Sequence, residues 1–191
     1  MTYKFRENHP TRQYQGKHAN YRSYKQHLAT DFSNRCGYTD CPDFWFGGKN
    51  NFHIDHFVPW KSYPETPSLK TDYQNLIYCC SYVNILKSND EGDYIDPCNQ
   101  DFNQHFSRDG VGNIIPDPNS VHANYMYKKL RLFMRRYQII WLLDTIHNKM
   151  SLLRTKIAGT DDSEKRNSLL VTMGELAMEM TEYLEYLKKS Q

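Results

Sequence analysis

The chain lacks any run of about eighteen apolar residues, which excludes a membrane-spanning helix. Its first residues, MTYKFRENHP, lack the apolar stretch of a secretory signal. Both absences point to the cytoplasm, where the five cysteines are expected as thiols or metal ligands rather than disulfides. No large excess of one charge exists either: the net charge is +2, too small to name a partner. Hydrophobic residues reach only 39% of the 191, enough for one modest core and a single domain with an appendage. No internal repeat is visible.

What is present is uneven. Residues 1–30 carry Lys4, Arg6, Arg12, Lys17, Arg22 and Lys25 against one acid, Glu7, with Tyr3, Phe5, Tyr14, Tyr21 and Tyr24 interleaved. Cations mixed with planar rings suit a nucleic-acid backbone and its bases, so Arg12, Lys17, Arg22 and Lys25 are candidate nucleic-acid contacts. A solvated basic arm is the plainer alternative. Residues 1–19 read as that irregular arm.

Tyr21, Tyr24, Leu28 and Phe32 recur at three and four, which predicts a short helix near 20–34. FWF-GGKNN-FHIDHF reads as two strands joined by a Gly- and Asn-rich turn. QNLIYCCSYVNILKS, 74–88, reads as a short buried helix. Residues 89–119 are acidic and turn-rich, and a boundary is expected at their end. Beyond it, Ile139, Leu143, Ile146, Met150, Leu153 and Ile157 form one helical stripe. Leu170, Met173, Ala177, Met180, Leu184 and Leu187 form another, with Asp161 and Glu164 as a capping box. Two such stripes predict an antiparallel helical hairpin over 119–191, whose seam a second copy or another protein could share.

The chemistry centres on FHIDHFVPW. Pro59 cannot donate to a ladder, so the strand carrying Asp55 and His56 ends at an exposed edge. Asn75, Asn84 and Lys87 follow, the last two on one helical face. Asp55 and Asn84 offer the oxygen ligands that suit hydrated Mg²⁺ or Mn²⁺. His56 titrates near neutral pH and can take a proton from water. Lys87 can hold a phosphate oxygen, and the set is an inventory for metal-assisted phosphodiester hydrolysis. Each residue also has a structural reading. A lone His56 would bond a turn, Asn75 would cap a helix, and His53 would be a half-exposed strand histidine instead of an accessory ligand or DNA contact.

The order IDHFVP…NLIYCCSYVNILK resembles the HNH endonucleases. The resemblance covers roughly residues 35–88 and implies an α+β fold: a small ββα-metal core with a preceding helix. It places the first metal ligand at Asp55, the general base at His56 and the loop-fastening amide at Asn75. Asn84 falls on the second metal ligand and Lys87 on the basic position after it. The nuclease domain would then span 20–118. The flanking residues resemble the HNH proteins of Septu-type and retron-associated anti-phage systems, which implies DNA as substrate and an ATPase partner. RNA would serve the residue chemistry equally. Many members of the family hold a structural zinc with two Cys-x-x-Cys pairs. Here the first pair is Cys36 and Cys41, with four residues between them, and Val83 stands where the partner of Cys80 belongs. Cys79 or Cys98 is then the candidate fourth thiolate, and thiols packed as small hydrophobes are the alternative. The rival to the enzyme is a zinc-stabilised module that binds nucleic acid or protein without cutting. Asp96 and His105 match the subgroup's tail but read first as a turn former and a packing residue.

Overall fold

A computed structural model describes residues 2–189. The protein is α+β and divides into two compact units, Met1–Tyr137 and Gln138–Gln191. The division therefore falls at 137/138 and not at 118/119.

In the first unit, strand β1 (Tyr3–Lys4) pairs antiparallel with β4 (Phe106–Arg108), which pairs in turn with β5 (Ile114–Pro116). Within the segment expected to be an irregular arm, Tyr3–Lys4 is thus a sheet edge. Phe5 is buried against Phe102 and Phe106, with ring centroids 5.7 and 5.4 Å away. Arg108 is fully buried and donates to the carbonyls of Phe5, Gly112 and Thr39 at 3.4, 3.0 and 2.8 Å. Arg6 Nη2 donates to Gly37 O at 2.7 Å. These cations act as fasteners, because buried donors need acceptors and loop carbonyls need donors. Composition could not distinguish them from solvated ones.

The helix expected near 20–34 is present as a 3₁₀ turn, Tyr21–Tyr24, leading into α1 (Lys25–Asp31). The expected FWF–FHIDHF hairpin is not formed. Asp43–Phe46 is a 3₁₀ turn, and β2 (Phe52–His56) pairs antiparallel with β3 (Leu76–Cys80) instead. The predicted helix over 74–88 is therefore strand over Leu76–Cys80. All five side chains of β3 are buried, so its apolar run carries no period and reads equally well as buried helix. The chain turns helical only after Cys80, as α2 (Ser81–Lys87). After α2, the turn-rich stretch supplies the β4–β5 hairpin, then α3 (Val121–Lys129) with Ser120 Oγ capping Ala123 N–H at 3.2 Å.

Helix α4 (Arg135–Ala158) runs from the end of the first unit into the second, and α5 (Ser163–Lys189) follows. Asp162, one residue later than expected, accepts from Glu164 N and Lys165 N at 2.9 and 3.1 Å. Ile139, Leu143 and Ile146 are buried. Along α5, Met173, Ala177, Met180 and Leu187 are only half-buried and Leu170 and Leu184 are exposed. No described side chain of α5 is buried.

Candidate active site

Strand β2 carries His53, Asp55 and His56, and the β2–β3 register sets them opposite Cys79, Ile77 and Leu76. Phe57 N still donates to Asn75 O at 2.8 Å, after which the chain leaves the ladder toward Pro59. Asn75 crosses this exit. Its Oδ1 accepts from Val58 N at 2.8 Å, and its Nδ2 donates to Val58 O and Leu69 O at 2.9 and 3.0 Å. One amide thus fastens the loop that follows His56.

His56 is half-buried. Its Nε2 lies 3.0 Å from Lys70 O. A carbonyl only accepts, so Nε2 carries the proton and the neutral ring keeps its lone pair on Nδ1. The ring meets Tyr21 edge-on at 4.8 Å. Burial lowers the imidazole pKa, and the nearby Lys87 and Lys70 lower it further against the Lys70 carbonyl bond, so the neutral form dominates near pH 7.

Asp55 is 4% exposed. Tyr38 Oη donates to its Oδ2 at 2.7 Å, and Lys87 Nζ lies 3.3 and 3.2 Å from Oδ1 and Oδ2. Burial raises the carboxyl pKa, opposed by Lys87 and Tyr38. Lys87 has no exposed surface and also donates to His56 O and Phe57 O at 2.9 and 3.1 Å. Its three ammonium protons are therefore all used inside the fold. This corrects the expectation that Lys87 holds a phosphate oxygen. The residue lies on the predicted helical face, but its stem carries the charge inward to a carboxylate and two carbonyls.

Asn84, from the same face, lies elsewhere: its Nδ2 donates to His53 Nδ1 at 3.2 Å. His53 is exposed, and burial of part of its ring together with Lys25 lowers its pKa. Asp55 and Asn84 are each engaged by another residue and share no hydrogen bond among the described ones. Arg12 is a further correction. It is buried, with Nε donating to Leu76 O at 2.9 Å and Nη1 paired with Asp96 at 3.0 Å, so it fastens the N-terminal segment instead of standing free on the surface. Asp96 is its counter-charge, and His105 bonds Ser120 Oγ at 2.9 Å. Lys17 and Arg22 are exposed, and Lys25 donates to Asn50 O at 3.1 Å.

Of the thiols, Cys36 and Cys80 come together, with sulfurs 3.9 Å apart. Burial opposes ionisation of Cys36, but donation from the Cys80 thiol, Thr39 and two backbone N–H groups outweighs it and brings the thiol down to about 6. Cys41 contacts Thr39 O at 3.8 Å, and burial raises it to about 12. Cys79 is buried on β3, and Cys98 N donates to Asp96 Oδ1 at 2.9 Å. Among the described residues no group of three or more His, Cys, Asp or Glu could hold a metal ion. Sequence reasoning missed Tyr38, Tyr21 and the Lys70 carbonyl, which reach the site across 17, 35 and 14 residues with no local signature.

No family model matches the chain, and no curated protein or solved structure matches it.

Proposed function

We propose that the chain is an endonuclease of the HNH type that hydrolyses phosphodiester bonds of DNA. His56 carries the reading. Its Nε2–H is spent on the Lys70 carbonyl, burial favours the neutral ring, and Asn75 fastens the loop beside it. Nδ1 is then the lone pair that removes a proton from water. The water oxygen attacks phosphorus, and the bond to the leaving sugar oxygen breaks. The order of β2, β3 and α2, with Asp55 and His56 on the first and Asn84 on the last, supports the same reading. A role in bacterial anti-phage defence beside an ATPase partner is proposed on the resemblance alone.

The divalent cation of that family does not fit this arrangement. Both oxygens of Asp55 are engaged by the Lys87 ammonium, and Asn84 is bonded to His53. A structural Zn²⁺ likewise finds two adjoining thiols, Cys36 and Cys80, and no assembled donor set. The enclosed Asp55–Lys87 pair favours a second reading, a binding module that does not cut.

Nicking of supercoiled plasmid with Mg²⁺, Mn²⁺ or EDTA separates the two. The nuclease gives open circles, and His56→Ala abolishes them while circular dichroism and DNA affinity hold. Activity surviving in EDTA assigns the charge beside Asp55 to Lys87, and activity only with a cation means the ion pair opens. Wild-type rates in His56→Ala refute the base, and a wild-type protein silent in every lane leaves the binding module.

A further inference from the structure

A cleft beside the candidate site gathers positive charge, and no carboxylate lines it among the described residues. It lies between the Tyr21–Tyr24 turn with the start of α1 on one side and β2 with Asn84 on the other, and it encloses about 350 Å³. Tyr21, Arg22, Lys25, His53 and Asn84 supply its polar lining. Lys49 stands near Lys25 and lowers its pKa, after burial, the largest cause. Among the described residues no ion pair engages Arg22, Lys25 or Lys49, and the only acceptors on the two lysines are neutral, Asn50 O and Gln26 Oε1. Arg108, Arg12 and Lys87, by contrast, all have acceptors inside the fold. Unpaired cations held in a concave site attract an anion, and each neutralised phosphate releases counterions.

We propose that this cleft is a phosphate subsite, seating one phosphodiester group of a polynucleotide backbone against Arg22, Lys25 and the Asn84 amide, with His53 beside them. The identity of the ligand rests on the nucleic-acid reading above, but the cleft itself does not depend on cutting. Tyr21 joins the two places, since it lines the cleft and also meets the His56 ring. A backbone held here passes the base.

The test uses the full chain in EDTA, with binding of a short labelled DNA duplex followed by fluorescence anisotropy across a salt series. Arg22→Ala with Lys25→Ala lowers affinity roughly tenfold or more and reduces the slope of log K against log salt by about one per lost phosphate contact. Lys165→Ala with Arg166→Ala, on α5, leaves both unchanged. In parallel, inorganic phosphate displaces the duplex from the wild-type chain at lower concentration than chloride of equal ionic strength. An unchanged slope in the cleft variant, an equal loss in the α5 variant, or displacement by phosphate no better than by chloride of equal ionic strength overturns the subsite. A chain that binds with the full slope yet never nicks plasmid sinks the nuclease and keeps the subsite. A chain that nicks while the cleft variant keeps its slope does the reverse.

Discussion

Two side chains separated by one peptide bond have opposite fates. Asp55 is sealed under Tyr38 and Lys87, whereas His56 keeps one ring nitrogen available. Burial depresses the His56 pKa, so cleavage should rise with pH along a limb lying below the ordinary histidine value of about 6.5. The same shift sets a stability dependence. The unfolded chain binds the proton more readily, so this contribution is intact above the ordinary value and is lost as pH falls through the folded one. Paired NMR titration and pH–rate profiles check both, and a limb centred above 6.5 would contradict the burial argument. For Lys87→Met we expect a loss of about 3–5 kcal/mol in urea denaturation, because Asp55 is left buried without its cation and two carbonyls lose a donor. Its salt slope for DNA should stay at the wild-type value, unlike that of a phosphate contact.

At the scale of elements, side chains from elsewhere in the chain brace β2 and β3 in addition to their ladder. Arg12 reaches from the N-terminal segment to Leu76 O and Asp96, tying residues 64 and 84 positions apart. Arg12→Ala should therefore cost about 3–5 kcal/mol, since it strands a buried carboxylate. Thermal melting with DNA-binding controls distinguishes this from a lost contact: stability falls while the salt slope holds. Asn75 works similarly on the loop after β2. Asn75→Ala removes three hydrogen bonds worth about 1 kcal/mol each and frees the segment beside His56. The expected result is a fall in turnover larger than any fall in duplex affinity.

For the whole molecule, the two units differ in how they bury side chains. The first holds most of the buried residues, from Phe5 on the N-terminal segment to Tyr137. The second ends in α5, which contributes none among the described residues. Deleting residues 160–191 should therefore leave a cooperative thermal transition within a few degrees of the intact chain, with plasmid nicking retained. A collapse of the transition would show that α5 supports the core although none of its described side chains is fully buried.

The sequence by itself determined the local features: the short helix before the site, the strand ended by Pro59, the helical face of Asn84 and Lys87, and the two long C-terminal helices. Each follows from period or backbone chemistry over a few residues. Pairing was decided by tertiary structure. Residues 76–80 are apolar at every position, so nothing local separates strand from helix until β2 lies beside them. Cation fate was decided there too. Arg12, Arg22, Lys25 and Lys87 are alike as letters, yet two are buried under acceptors and two line an uncompensated cleft. The difference is set by which oxygens the fold brings near, and those lie dozens of residues away along the chain.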